Sequence, residues 1–115
     1  MAKRPDYTAY HAALPVLGVD GTLSSVIPAD SPAKGKVQAK TGTLFWHDVM
    51  NDRNMLRSKA LAGAMTAANG RELFVVLFVN DVPLPRGVQP TREGKALGRL
   101  CEIIYENVPA IKVTP

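Results

Sequence analysis

A chain of 115 residues suits one domain with a modest core, since roughly two thirds of the surface of an unfolded chain of this size can be buried. Apolar residues make up 46% and charged residues 21%, which excludes a disordered chain, and the single cysteine excludes a disulfide framework or a multi-cysteine metal site. The net charge of +4 could attract anions such as nucleic acid or acidic cell-wall polymer, but it could equally serve solubility alone.

The N-terminal third of the chain is predicted to consist mainly of turns and loops. Residues 1–12 are polar and mixed, and they could end in a short helix before Pro15. The segment 14–26 combines proline and glycine with apolar residues, which predicts a packed, turn-rich segment in which Asp20 is a turn former. Two prolines and a glycine in 27–36 predict a loop.

Three segments have the composition of strands. The first is 37–45. In the following segment, 46–57, apolar residues recur with no regular spacing, so it is predicted to be a long loop or a short helix. Asn-Gly at 69–70 favours the tight turn of a hairpin, which predicts that 59–67 pairs with 72–80. The second of these strands is apolar at consecutive positions, so we expect both of its faces to be covered.

A C-terminal helix is the clearest predicted element. Residues 81–90 contain three prolines and predict a loop, after which Thr91 is a plausible N-cap and Glu93 suits the helix dipole. Apolar residues at helical spacing form one stripe, which consists of Leu97, Leu100, Cys101 and Ile104. The helix should stop before Pro109, and Cys101 is expected to be a small buried residue.

These elements predict an α+β fold in which a small antiparallel sheet of about three strands carries a C-terminal helix on one face. The whole chain, 1–115, is expected to be a single domain. Its basic residues are scattered and no basic stripe is interleaved with aromatics, so we do not expect a nucleic-acid partner. His11 and His47 have no second histidine at metal-ligand spacing, and we expect neither a metal nor a cofactor.

The run Lys40-Thr41-Gly42-Thr43 is the one compact constellation with a recognisable mechanism. A lysine on a strand offers a fixed positive charge for a carboxylate, and Gly42 lets a ligand backbone approach the strand closely. The hydroxyls of Thr41 and Thr43 can add hydrogen bonds to that carboxylate. A free backbone N–H at Thr43 could stabilise an oxyanion. Phe45 and Trp46, which follow this run, could line a cleft or belong to the core.

Four segments around and beyond this run carry a resemblance to a known family and follow one another in that family's order: "LPVLGVDGTL", "SPAKGKVQAKTGTL", "SKALAGAMTAANGRELFVVLFVN" and "GKALGRLCEIIYE". From about Ala12 to Glu106 the chain resembles the C-terminal part of the D-alanyl-D-alanine carboxypeptidase/endopeptidase family, which implies that 1–115 is a single partial domain. These are the class C low-molecular-mass penicillin-binding proteins, of the S13 type.

The resemblance implies a β-lactamase/transpeptidase-like fold in which the lysine-threonine-glycine strand borders the active-site cleft at one edge of the sheet. It implies that Lys40 and Thr41 orient the terminal carboxylate of a peptidoglycan stem peptide or a β-lactam. It also implies that the Thr43 main chain forms half of the oxyanion hole, and that the protein works in the periplasm or elsewhere outside the cytoplasm.

The chain differs from this family in its serine-containing motifs. The family needs a serine–x–x–lysine helix start and a serine–x–asparagine element. Residues 31–34 fit the letters of the first, but they lie in a proline-rich loop just before the strand, which indicates a chance match. The second motif does not occur in the sequence. We therefore expect no catalytic residue on this chain, which would be an inactive enzyme segment or, alternatively, a non-catalytic module that binds peptidoglycan peptides, β-lactams or a protein partner.

Two further expectations concern the surroundings of the chain. It shows neither a signal-peptide pattern nor an apolar run long enough to span a bilayer, so a targeting segment would lie outside these residues. The outer edge of strand 72–80 has no evident partner unless 1–26 supplies one. An apolar strand with an open edge recruits other chains, so we expect a homo-oligomer or pairing with a missing N-terminal part of the domain.

Overall fold

The computed structural model describes residues 2–88 and 91–109, and the predicted α+β fold is confirmed. A three-stranded antiparallel sheet carries one long helix, and within the described residues no helix is long and apolar enough to cross a membrane. The elements, in chain order, are α1 (Tyr7–Ala12), a 3₁₀ turn (Gly21–Leu23), β1 (Val37–Asp48), β2 (Arg53–Thr66), β3 (Glu72–Pro83) and α2 (Thr91–Asn107).

The sheet is a meander in which β2 lies between β1 and β3. The predicted hairpin between the second and third strands is confirmed, and its turn places Gly70 at a φ of +83°, which glycine adopts without strain. The prediction for 46–57 is wrong, because β1 and β2 continue through it and only a short turn at 49–52 separates them. Leu56 is the one fully buried side chain of this hairpin arm and the others are exposed or half-buried, so its sequence carries no regular hydrophobic period.

One irregularity interrupts the pairing of β1 with β2. Leu44 pairs with Ser58 but Phe45 pairs with Leu56, so Arg57 is an extra residue on β2. Its guanidinium forms an ion pair with Asp81 of β3 at 3.0 Å. A bulge of this kind bends the strand, and here it separates the inner part of the sheet from the exposed arm.

One face of the sheet is buried beneath α2 and the segment 14–36. Leu97 and Cys101 of α2 are fully buried. The prediction that Leu100 belongs to the buried apolar stripe is wrong, because its side chain is 42% exposed. The helix approaches the preceding loop closely at Gly98, where a Cβ would overlap the Val26 carbonyl. Thr91 already belongs to the helix instead of preceding it as the predicted cap, and the residues before it lie outside the described residues.

The loop at 27–36 is pinned to α2 by a buried polar contact. The Ser31 hydroxyl donates a 2.7 Å hydrogen bond to a carboxylate oxygen of Glu102, and both residues are buried. The segment contains turns and no helix, as its composition predicts. Ser31 and Lys34 are joined by a backbone turn bond from the Lys34 N–H to the Ser31 carbonyl, at 3.1 Å.

The other face of the sheet is apolar and open. Phe74, Val76 and Phe78 are 71%, 60% and 63% exposed, and they lie beside Ala62 and Ala64 of β2. The expectation that both faces of β3 are covered is therefore wrong for the described residues. The N-terminal segment approaches this face at one end, where Tyr7, Tyr10 and Leu14 line a groove of about 260 Å³ together with β2 and β3.

The N-terminal segment covers an edge of the sheet that we had not anticipated. The Leu17 N–H donates to the Val37 carbonyl at 2.9 Å, and the Ala39 N–H donates to the Pro15 carbonyl at 3.0 Å. Residues 15–17 thus run along the first half of β1. Because they pair with β1, the outer edge of β3, on the opposite side of the sheet, has no partner strand among the described residues.

Candidate carboxylate-binding site

Lys40-Thr41-Gly42-Thr43 lies in β1 directly after the stretch that residues 15–17 cover. In an antiparallel ladder the N–H and C=O of one residue point to the same side, and the side alternates along the strand. The backbone N–H and C=O groups of Val37 and Ala39 point away from β2, toward residues 15–17. The alternation therefore directs the N–H and C=O groups of Thr41 and Thr43 to the same side, away from β2. The Thr43 N–H therefore faces an edge that no strand pairs with in the described part of the chain.

The side chains of this run divide between the two faces of the sheet. Lys40 and Gly42 lie on the open face, whereas the Thr41 and Thr43 side chains lie on the face that α2 covers. The Lys40 ammonium nevertheless reaches the edge, because it bends back and donates a 2.8 Å hydrogen bond to the Thr41 carbonyl. The charge of Lys40 and the N–H of Thr43 thus meet along the same free edge.

Gly42 leaves unfilled space beside this edge. A Cβ built at Gly42 would have no heavy atom within 4 Å, and its φ is not in the left-handed region. Neither backbone strain nor packing against the rest of the described chain therefore requires a glycine here. The clearance is available to a molecule that lies along the strand.

Thr22 is a contact of the site that the sequence analysis missed. Its hydroxyl oxygen lies 2.8 Å from the Thr41 hydroxyl oxygen, at hydrogen-bond distance. The 3₁₀ turn that carries Thr22 follows Asp20, whose carboxylate accepts a 2.6 Å hydrogen bond from the Val16 N–H, so Asp20 closes a turn as expected. The only sequence signal for Thr22 was its place in the segment "LPVLGVDGTL", next to a turn former.

Phe45 and Trp46 lie beyond the bulge and are exposed, so the alternative that they belong to the core is wrong. The Arg57 guanidinium lies over the Trp46 ring at 5.4 Å from its centroid, which orients the indole on the arm. The two aromatic side chains are available to line a cleft, but nothing in the described residues closes a cleft around them.

The other nucleophilic and metal-ligating side chains do not join this run. The Ser31 hydroxyl is buried and bonded to Glu102. Burial, and secondarily the neighbouring Glu102 carboxylate, raises the pKa of the Cys101 thiol to about 11, so it stays protonated at neutral pH and is a poor nucleophile. Across 2–88 and 91–109, no group of three or more His, Cys, Asp or Glu side chains could hold a metal ion, and His47 instead contacts Asp52 at 3.4 Å.

Comparison with known families decides where the chain belongs. The model of the D-Ala-D-Ala carboxypeptidase 3 (S13) family matches residues 1–96. The chain belongs to this family. Among curated proteins, no match was found.

Two solved structures of one penicillin binding protein resemble the chain over nearly its whole length. The crystal structure of penicillin binding protein 4 (dacB) from Haemophilus influenzae has a TM-score of 0.59 and 27% identity and covers 92% of this chain. The same protein complexed with a novel β-lactam has a TM-score of 0.62, 27% identity and the same coverage. The chain spans only 22% and 23% of the length of those two chains.

Proposed function

We propose that β1 forms the carboxylate-binding wall, and half of the oxyanion hole, of a serine-type D-Ala-D-Ala carboxypeptidase site. The observation that carries this proposal is that the Lys40 ammonium and the Thr43 N–H share one unpaired strand edge, with the Thr41 hydroxyl next to it. Membership in the S13 family supports the substrate class, a peptide that ends in D-Ala-D-Ala or a β-lactam of similar shape.

The terminal carboxylate of the peptide would bind at the Lys40 ammonium, which then exchanges its bond to the Thr41 carbonyl for a charge-assisted bond to the ligand. The Thr41 hydroxyl adds a second donor, held in position by Thr22. The peptide backbone then runs along the edge past Gly42, where no protein atom intervenes. This brings the scissile carbonyl toward the Thr43 N–H.

The Thr43 N–H would act on the charge that develops when that carbonyl becomes tetrahedral. A fixed backbone donor of this kind is typically worth about 10²–10³ in rate. The chain would thus supply substrate orientation and charge stabilisation, whereas the attacking serine and its proton transfer must come from another segment. Without a nucleophile no acyl-enzyme can form, so we expect negligible turnover from these residues alone.

A second function, non-catalytic binding of the same ligands, is favoured by one observation. The carboxylate-binding groups need no serine in order to bind, and the one serine with a lysine three residues later, Ser31, is buried against Glu102. The two functions share a site and differ in whether a serine-bearing segment completes it. A fluorescent penicillin separates them, because covalent labelling that survives denaturation requires a nucleophile.

The experiment that tests the shared site is a titration of the ¹⁵N-labelled chain with an N-acetylated peptide ending in D-Ala-D-Ala. We expect saturable shifts of the Thr41 and Thr43 amides. Lys40→Met should weaken binding by about tenfold or more, the worth of a hydrogen bond to a charged group. Lys36→Met, a neighbouring exposed lysine, is the matched control and should bind as the original chain does.

Two ligand controls sharpen this titration. The same peptide with a C-terminal amide should bind much more weakly, since the carboxylate is the group that Lys40 holds. A peptide ending in L-Ala-L-Ala should also lose affinity if the strand edge orients the substrate. Equal binding of acid and amide forms would show that the proposed carboxylate site is wrong.

We further propose that the chain by itself self-associates through its open face and the outer edge of β3. Phe74, Val76 and Phe78 form an apolar surface directly beside an edge that lacks a partner strand among the described residues. In a longer protein, the serine-bearing segment would occupy this surface instead. Light scattering during size exclusion should give a mass above 12.4 kDa that rises with concentration.

The S13 family suggests that the protein works outside the cytoplasm, where its peptidoglycan substrates are found. We propose a periplasmic or other extracytoplasmic location on that basis. Fractionation of cells that express the full reading frame, with detection by an antibody to this chain, would test it. Recovery only with cytoplasmic markers would contradict it.

A further inference from the structure

Two exposed apolar side chains follow the Lys40–Thr43 run along β1. The bulge adds a residue to β2 and none to β1, so the alternation of side chains along β1 continues past it. Leu44 and Trp46 therefore lie on the same face of the strand as Gly42. They are 65% and 59% exposed, and we call them the Leu44–Trp46 surface.

The indole ring in this surface is held by a charged side chain of the next strand. The Arg57 guanidinium lies over the Trp46 ring, 5.4 Å from its centroid, and forms an ion pair with Asp81 at 3.0 Å. Arg57 thus joins all three strands, since Trp46 belongs to β1 and Asp81 to β3. Because Asp81 compensates the charge of the guanidinium, the ring is fixed in place while its surface remains apolar.

Two departures from regular strand geometry coincide in this ion pair. Arg57 is the extra residue of the bulge, and it lies opposite Asp81 in the register of β2 with β3. Asp81 has a φ of +53°, a left-handed conformation that is uncommon for residues other than glycine, although aspartate tolerates it better than most. Unusual backbone conformations cluster at binding and active sites, which directs attention to what the pair positions.

We propose that the Leu44–Trp46 surface binds apolar side chains of the substrate residues that precede the D-Ala-D-Ala unit. Arg57 and Asp81 are then positioning residues, which act on the substrate only through the orientation of the indole. The chemical class of substrate is a peptide that carries aliphatic side chains before its two D-alanines. A substrate without such side chains would still bind through its carboxylate, but less tightly.

This inference rests on the proposed function, which fixes the direction of the substrate. With the terminal carboxylate at Lys40 and the scissile carbonyl at Thr43, the preceding residues extend along the edge toward Trp46. Trp46 lies three residues beyond Thr43, or about 10 Å along a strand, and an extended peptide covers that distance with about three residues of its own. The residues just before the D-Ala-D-Ala unit therefore reach the Leu44–Trp46 surface.

Three peptides test the proposal, namely Ac-Leu-Leu-D-Ala-D-Ala, Ac-Ala-Ala-D-Ala-D-Ala and Ac-D-Ala-D-Ala. Trp46 is the only tryptophan in the sequence, so its fluorescence and its indole N–H resonance report contact at this surface directly. All three peptides should shift the Thr43 amide. The leucine peptide should also shift the indole resonance and bind several-fold more tightly than the alanine peptide, since each fully buried methylene group is worth about fourfold in affinity.

Asp81→Asn releases Arg57 and keeps a residue type that tolerates a positive φ. We expect the preference for the leucine peptide over the alanine peptide to fall toward onefold, with the affinity for Ac-D-Ala-D-Ala unchanged. A change in stability alone would not alter this ratio. Arg57→Met should lose the preference in the same way, whereas Asp30→Asn, which makes the same change of charge at an exposed loop residue, should keep it.

The outcomes separate this inference from the function on which it rests. If the original chain binds the leucine and alanine peptides equally and the Thr43 amide still shifts, the inference is wrong and the proposed function stands. A preference that persists in both Asp81→Asn and Arg57→Met would overturn the positioning role of the ion pair. If no peptide shifts the Thr43 amide, the proposed function and this inference are both wrong.

Discussion

The two faces of the sheet differ in what covers them, although the same three strands form both. On one face, Leu61, Met65 and Val75 are buried beneath α2 and the N-terminal segment. On the other face, Phe74 and Phe78 are equally large and apolar, yet they remain exposed among the described residues. A strand side chain therefore stabilises this fold only where a second layer removes it from water.

The difference means that the covered face stabilises the fold, whereas the open face and the free strand edges remain available for contacts. Fully burying a large apolar side chain contributes roughly 1.5–3 kcal/mol, and only the covered face gains this within the described residues. The open face, the outer edge of β3 and the part of the β1 edge beyond residues 15–17 gain no such burial within the described residues, so they can contact ligands or other chains. The four predictions below test this separation from the largest expected effect to the smallest.

Leu97→Ala should produce the largest loss of stability. Leu97 is fully buried between α2 and the sheet, and removing such a side chain typically costs about 2–5 kcal/mol. Urea denaturation measures the loss as a lower midpoint. Val76→Ala on the open face is the matched control and should change the free energy of unfolding by less than about 1 kcal/mol. Comparable losses from the two variants would mean that both faces are packed.

Thiol reactivity should differ between the faces on the order of a hundredfold or more, since each unit of pKa changes the thiolate fraction about tenfold. Burial raises the pKa of Cys101 to about 11 from an ordinary value of 9.0. A chain in which Cys101→Ala is combined with Val76→Cys presents its single thiol on the open face instead. Reaction with a chromogenic disulfide at pH 8 gives both rates. Rapid modification of native Cys101 would contradict the described packing of α2.

Ser31→Ala should have an intermediate effect. The change leaves the buried Glu102 carboxylate without its 2.7 Å donor, and Arg99, at 3.8 Å, lies farther away. A buried acceptor that loses its partner typically costs about 1–3 kcal/mol, which thermal unfolding can measure. Ser24→Ala, at an exposed serine, is the control. Binding of D-Ala-D-Ala peptide should be unchanged, whereas loss of ligand binding without loss of stability would give Ser31 a functional role.

Phe78→Thr should have the smallest effect on folding and a clear effect on association. Phe78 is 63% exposed, so its loss should change the stability by no more than about 0.5 kcal/mol. If the open face mediates self-association, light scattering should show a mass closer to that of the monomer. Leu77→Thr, on the covered face of the same strand, is the opposite control and should mainly destabilise the fold.

The elements that could be predicted from the sequence are those with local signals. Asn-Gly at 69–70 determines the turn between β2 and β3, and the helical spacing of Leu97, Cys101 and Ile104 predicts α2 without any knowledge of its partners. The Lys40–Thr43 run could be recognised because its residue types lie together in the chain. Its division between two faces also follows from the alternation of a strand.

The elements that could not be predicted depend on contacts between distant residues. The hairpin arm at 46–57 fully buries Leu56 alone, so hydrophobic periodicity could not reveal it. Leu100 has the right spacing for the apolar stripe but lies at its margin, and only the position of the helix on the sheet shows this. Thr22 contacts Thr41 across 19 positions, and Lys59 meets Gly94 only after α2 has docked.

The meander arrangement of the sheet has a consequence for how the chain folds. Each strand pairs with the next one along the sequence, so each hairpin can form outward from its own turn without help from α2 or the N-terminal segment. β1, which carries the Lys40–Thr43 run, can therefore pair with β2 first, whereas the contacts of Thr22 and Lys59 require the N-terminal segment and α2 to dock onto the sheet.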